Sequence, residues 1–101
     1  MIVPFRPIMS DRAIGDLADI YDYIAIDNPG AAERLVHAIT GKITTLAAAG
    51  NRGAPRNNIS PGLRVFPYRK RCIYFRVVND DFIVLRVLHA RQDVTEEHFK
   101  D

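Results

Sequence analysis

Apolar side chains recur twice at helical spacing in the first half of this chain, and then the period shortens to that of strands. Ala13, Leu17, Ile20, Tyr21 and Ile24 form one stripe, with Asp16, Asp19 and Asp22 between them on the expected wet side. That pattern predicts an amphipathic helix ending near Ile26. Ser10 offers an N-cap hydroxyl, and Asp11 sits where the helix dipole favours negative charge. Gly15 weakens the helix by about 1 kcal/mol relative to alanine. Asp27-Asn28-Pro29 then punctuates the chain: Asn28 can cap a second helix, and Pro29 suits its first position, where no backbone N–H is needed. Ala32, Leu35, Val36, Ile39, Ile43 and Leu46 make the second stripe, running to about Ala49, with Gly50 placed for the left-handed residue that follows a helix. So short a connection lays the two helices antiparallel.

Ile2 to Ile8 reads as a short strand. Pro4 and Pro7 each remove a ladder donor, which confines it to an edge or an irregular position. Gly53, Pro55, Asn57, Asn58 and Pro61 make residues 50–62 a loop. Beyond it, Leu63–Pro67, Arg71–Val78 and Phe82–His89 are predicted strands, with turns at Tyr68–Lys70 and Asn79–Asp81. Strands so close in sequence pair antiparallel. A last hairpin with an odd-length loop puts Ile73, Phe75 and Val77 on one face with Ile83, Leu85 and Val87. Cys72, Tyr74, Arg76, Val84, Arg86 and Leu88 then occupy the other face. An even loop would mix arginines into the aliphatic set, against the cost of burying charge. The aliphatic face is expected to receive the helices. The other is expected to present Tyr74, Arg76 and Arg86, beside Val84 and Leu88, to a partner. The blander alternative is that these arginines lie over the sheet and meet water or carboxylates of the same chain.

Composition narrows the class. The 101 residues, 48% hydrophobic and 26% charged, suffice for one globular domain. The lone Cys72 cannot form an internal disulfide, which fits a reducing compartment. The start of the chain lacks a basic leader followed by an apolar stretch, and no apolar run is long enough to cross a bilayer; a cytoplasmic protein without membrane contact is expected. A net charge of +2 does not by itself imply nucleic-acid binding. Its distribution is more informative. Arg52, Arg56, Arg64, Arg69, Lys70, Arg71, Arg76, Arg86 and Arg91 face only Asp80 and Asp81 in the same stretch, whereas half of the acids lie in the first third. The C-terminal half therefore suits an anionic partner, unless it is simply a solvated basic surface.

Candidate chemistry is sparse. His37 falls beside the wet face of the second helix, and His98 lies in a tail, Thr95–Asp101, that reads as a short helix or a frayed end. His89 closes the last strand, and an imidazole suits acid or base work; its structural reading is a hydrogen-bonded strand-end histidine. Tyr74, between core-type positions, reads as packing. Gly50 and Gly53 lack the lysine and helix of a phosphate loop, and no histidine, cysteine or carboxylate cluster has metal spacing. Ser10 and Ser60 read as cap and loop residues. Neither cofactor nor metal is expected.

The ordered series of segments carries a resemblance. Asp16-Leu17-Ala18-Asp19-Ile20-Tyr21-Asp22-Tyr23-Ile24-Ala25, Asp27-Asn28-Pro29 with Ala32-Glu33-Arg34, Gly62-Leu63-Arg64-Val65-Phe66-Pro67, Ile73-Tyr74-Phe75-Arg76-Val77 and Val84-Leu85-Arg86-Val87-Leu88-His89-Ala90-Arg91 together resemble ParE-type toxins of the ParE/RelE superfamily. Gln92-Asp93 departs from the Arg-Asp pairing expected there. The resemblance implies an α+β, two-layer RelE-like fold of one domain, an N-terminal strand and helical hairpin packed on a twisted antiparallel sheet. It also implies a toxin of a type II toxin–antitoxin system that arrests growth by inhibiting DNA gyrase. A ParD-like ribbon-helix-helix antitoxin would neutralise it in the groove between helical hairpin and sheet edge, and DNA would be contacted only through that antitoxin. Arg64, Tyr74, Arg76, Arg86, His89 and Arg91 are the expected antitoxin- or target-binding residues. The alternative is a RelE-like ribosome-dependent mRNA endonuclease, with Arg64 and Arg86 on phosphate and His89 as acid or base. A binding poison without a catalytic residue is the expected class, because no second catalytic group accompanies His89.

Overall fold

The computed structural model describes residues 3–100, so Ile2, where the first predicted strand begins, lies outside the described residues. Strand β1 (Arg6–Met9) leads into helices α1 (Asp11–Ala25) and α2 (Pro29–Ala48). Strands β2 (Ala54–Pro55), β3 (Arg64–Tyr68), β4 (Arg71–Val78) and β5 (Asp81–His89) follow, and a 3-10 turn at Glu96–Phe99 closes the chain. The caps form as their residue types require. Ser10 Oγ accepts the Ala13 N–H at 3.1 Å and donates to the Leu85 carbonyl at 3.0 Å, so the start of α1 is tied to β5. Asn28 Oδ1 accepts the Ala31 N–H at 3.0 Å, with Pro29 as the first residue of α2. Gly50 follows α2 with φ 64°, the left-handed conformation that glycine adopts without steric cost.

The sheet has five strands in the order β1-β5-β4-β3-β2. The β3–β4 and β4–β5 pairs are antiparallel, as expected of hairpins. β1 lies at the edge, the position its prolines allow, and pairs parallel with β5, which makes the sheet mixed. The two-residue β2, within the segment expected to be loop, adds the opposite edge.

The register of the last hairpin corrects the expectation. Val78 pairs with Asp81 across a loop of even length, Asn79–Asp80, and Asn79 carries φ 54°. The arginines nevertheless stay out of the core. Tyr74 pairs with Arg86 while the next residue, Phe75, pairs with Val84, so Leu85 is an extra residue in β5. This β-bulge flips the alternation once. Phe82 and Val84 precede the flip and Val87 follows it, and these three join Ile73 and Phe75 beneath the helices. Ile83 and Leu85 belong instead to the opposite face, and Val84, expected there, is fully buried in the main core. An even loop and a bulge together keep Arg76 and Arg86 off the aliphatic face, as an odd loop would have, but with Phe82 and Val84 inward in place of Ile83 and Leu85.

The opposite face is also not bare. Leu63, Val65, Tyr74 and Leu88 form a second buried cluster, covered by Ile59 of the β2–β3 loop and by Val94 and Phe99 of the C-terminal segment. The Phe99 ring lies 5.2 Å from that of Tyr74, and Tyr74 is only 7% exposed. The main core sits on the other side. There Phe75 and Phe82 stack at 4.0 Å beneath Leu17 of α1 and Ile39, Ile43 and Leu46 of α2. On α1, Tyr21 is exposed although it belongs to the predicted stripe.

Candidate partner-binding groove

β1 stops at Met9, opposite Val84, so the outer edge of β5 from Leu85 onward has no neighbouring strand. An open strand edge attracts other chains, and here α1 covers part of it. Ser10 takes the Leu85 carbonyl, and one turn and a half further along α1 the Asp16 carboxylate accepts the Val87 N–H at 2.9 Å. The same carboxylate grips the Arg86 guanidinium in a two-pronged pair, Nε to Oδ2 at 2.7 Å and Nη2 to Oδ1 at 2.8 Å. Both side chains are largely buried, at 10% exposure for Asp16 and 14% for Arg86. Hydrogen bonding to Asp16 raises the Arg86 pKa above its ordinary value, against the opposing pull of burial. Arg86 Nη1 also donates to the His98 carbonyl at 3.1 Å, which pins the C-terminal turn.

Beyond this clasp the helix and the strand edge diverge, leaving an open groove of about 560 Å³. Asp19, Ile20 and Tyr23 line its helical wall, and Arg71, His89 and Gln92 its sheet wall. Tyr23 and Ile26, 76% and 82% exposed, leave the end of α1 apolar. The result is a channel with one apolar-and-acidic wall and one cationic wall, ending on exposed hydrophobic side chains. It can accept an extended or helical segment by apolar contact, and it offers Arg71 to a carboxylate.

The residues singled out in the sequence are dispersed. His89 is exposed in the groove, and its Nδ1 accepts the Arg91 N–H at 3.1 Å, the hydrogen-bonded strand-end role. Arg91 is exposed on the turn after β5. Arg86 lies on the floor with its charge matched by Asp16. Arg76 donates to the Ser60 hydroxyl at 2.7 Å and to the Pro61 carbonyl, so it braces the β2–β3 loop. Arg64 donates to the Arg52 carbonyl. Tyr74 is core, and burial raises its phenol pKa above the ordinary value, as it does for the neighbouring Cys72 thiol. Arg64 shares the sheet face of its partner Phe75 and Arg86 that of its partner Tyr74, so the two cations of the nuclease alternative point to opposite faces. Asp16, Asp19, Tyr23, Arg71 and Gln92 were absent from the expected set. Asp16 could have been suspected, because it falls three residues after Ala13 and four before Ile20, on the flank of the buried stripe rather than opposite it. Among the described residues no group of three or more His, Cys, Asp or Glu could hold a metal, and no helix is long and apolar enough to cross a membrane.

Residues 8–94, from β1 to the segment over the second core, match the family model described as ParE toxin of type II toxin-antitoxin system, parDE. The chain is a member of the ParE toxin family. Two relatives agree with that membership. Toxin ParE3 of Caulobacter vibrioides is 25% identical over 93 residues, covering 91% of this chain and 93% of that one. A chain from a structure titled as the chromosomal ParDE TA system from P. aeruginosa superposes with a TM-score of 0.70 at 27% identity, covering 84% of this chain and 95% of that one. The two-layer α+β fold expected from the resemblance is therefore the fold of this ParE-type toxin, with one strand of its sheet parallel.

Proposed function

We propose that this ParE-type toxin arrests growth by inhibiting DNA gyrase through protein contact, and that a ParD-like ribbon-helix-helix antitoxin silences it. The antitoxin's C-terminal segment would lie in the groove between α1 and the outer edge of β5. The observation that carries this reading is the unpaired stretch of β5 beyond Val84 beside an exposed, partly apolar helix wall. Strand edges and apolar grooves are the two features that peptide segments use to dock. Of the residues expected to bind, His89 lines the groove, Arg86 sets its floor, and Arg91 is exposed on the turn after β5. Arg71 adds a cation on the same wall as His89. Tyr74, Arg64 and Arg76 act through the fold, by holding the sheet and its loop in place.

Two assays test the two halves. Negative supercoiling by purified gyrase should fall as this toxin is added; full supercoiling at saturating toxin removes gyrase as the target. Co-expression with the neighbouring antitoxin should give a complex that Tyr23→Asp and Arg71→Glu each weaken at least tenfold. Undiminished binding by both variants places the antitoxin elsewhere.

A further inference from the structure

A second charged surface adjoins the end of the groove, where Lys70 precedes Arg71 and the Lys70 carbonyl accepts the Ala90 N–H at 2.8 Å. The β3–β4 turn consists of Arg69 and Lys70, with φ 48° and 65°. Tyr68 pairs with Arg71 around them, so both central residues of a two-residue hairpin turn are left-handed. Asparagine and glycine fit such a turn, and long basic side chains do not gain from it. A locally disfavoured choice kept at an exposed tip points to a use for the side chains.

The surroundings of the turn are cationic as well. Arg69 shares a hollow with Arg34 and His37 of α2. Further along α2, the Lys42 ammonium lies 5.2 Å from the Phe66 ring centre and 5.7 Å from that of Tyr68, and the Arg69 guanidinium lies 5.2 Å from Tyr68. Arg34 and His37 are one turn apart on α2, and Lys42 follows roughly 12 Å along the axis from Arg34. Among the described residues, none of Arg34, Lys42, Arg69 or Lys70 has a carboxylate within ion-pair distance; the ion pairs found are Arg6–Asp81, Arg86–Asp16 and Lys100–Glu97. The one acid lining the hollow is Glu33, exposed near the start of α2. Uncompensated cations on a rigid helix and a rigid turn make a preorganised polyanion surface.

We propose that the face formed by α2 and the β3–β4 turn binds the phosphate backbone of duplex DNA, with Arg34, Lys42, Arg69 and Lys70 as its phosphate contacts. The hollow offers no large apolar side chain as an anchor for an acidic amphipathic peptide, since Gly30 and Ala38 supply its apolar lining. Lys42 and Arg69 sit on the faces of the nearby aromatic rings, so no free platform is left for an unpaired base, and stacking is what single-strand binders use. Cations clustered on a helix and a turn suit the duplex backbone, whose phosphates advance about 3.4 Å per strand step. The inference departs from the expectation that the antitoxin alone touches DNA, and it does not depend on gyrase being the target.

Fluorescence anisotropy of the full chain with a labelled 20-base-pair duplex tests it, titrated across about 50 to 200 mM salt. Wild-type binding should weaken with salt along a log–log slope of about −3.6, each of the four phosphate contacts contributing about −0.9. Arg34→Gln combined with Arg69→Asn and Lys70→Gly should lose at least tenfold in affinity and flatten the slope by about two to three. Asparagine and glycine favour the turn, so this variant keeps its fold, which its urea midpoint verifies. Glu33→Gln should tighten binding about twofold, as one repelling charge is removed. A charge-matched control, Arg6→Gln with Arg12→Gln and Arg52→Gln, should bind nearly as wild type. An equal loss in that control, tighter binding of polyglutamate or single-stranded RNA at matched charge, or no duplex binding at low salt would each overturn the proposal.

Discussion

Asp16 of α1 and Arg86 of β5 lock helix to strand edge with two hydrogen bonds of 2.7 and 2.8 Å, and the same carboxylate caps the Val87 N–H. One side chain thus satisfies a guanidinium and an open strand edge together. Removing one partner of a largely buried pair leaves the other charge unmatched, which costs about 3 kcal/mol. Asp16→Ala and Arg86→Ala should each lower unfolding free energy by that order in urea titration. The Asp16→Leu, Arg86→Met double variant should lose much less than the sum of the two alanine effects. Additive losses would show that the pair is not coupled.

The Arg69-Lys70 turn predicts a stabilising variant. Glycine relieves a left-handed position by roughly 1 kcal/mol relative to a side chain with a Cβ. Lys70→Gly should therefore raise the thermal midpoint by several degrees in a domain of this size. An unchanged or lower midpoint would mean that the turn carries no such strain.

Glycines in this fold divide by surroundings. A Cβ on Gly53, at φ 56°, would come within 2.9 Å of the Phe75 ring and also strike the Val65 carbonyl. Gly53→Ala should cost at least about 2 kcal/mol, combining the disfavoured backbone with overpacking. Gly15 and Gly41 lie in α1 and α2 with open space around the missing Cβ. Alanine at either should stabilise by about 0.8 kcal/mol through helix propensity. Chemical denaturation of the three single variants checks the order.

Alkaline pH should loosen the second core. Burial raises the pKa of the Cys72 thiol and of the Tyr74 phenol. A raised folded-state pKa means the folded state keeps the proton longer than the unfolded chain does. That contribution to stability is complete below the unfolded values, near about 8.5 for cysteine and about 10 for tyrosine, and is lost as pH climbs through the folded ones. Unfolding free energy measured from pH 7 upward should decline through this window. Cys72→Ser should remove the earlier part of the fall and Tyr74→Phe the later part; an unaltered profile in both would locate the alkaline sensitivity elsewhere.

Much of the fold was legible because it rests on local rules. Ser10, Asn28, Pro29 and Gly50 carry out the capping roles their side chains allow, and the two apolar stripes bury Ala13, Leu17, Ile39 and Leu46. The site was less legible. Arg64, Arg76 and Arg86 stand out in the sequence as cations on strands, but carbonyls and a carboxylate distant in the chain engage all three. His89 and Arg91 remain available. Arg71, Asp19 and Tyr23 enter the groove because α1 crosses beside β5, a relationship that spans some fifty residues or more and leaves no periodic trace.

Local chemistry by itself determined the helical hairpin, the three long strands and the membership in a toxin family, since each depends on neighbours within a few positions or on ordered segments. Tertiary structure alone decided the β-bulge at Leu85, the second core over Tyr74 and the pairing of Asp16 with Arg86. The physical reason is that a strand's alternation states which residues share a face but not where an extra residue resets it. Likewise, a charge in the sequence does not reveal its counter-charge until the chain has folded back to bring the two together.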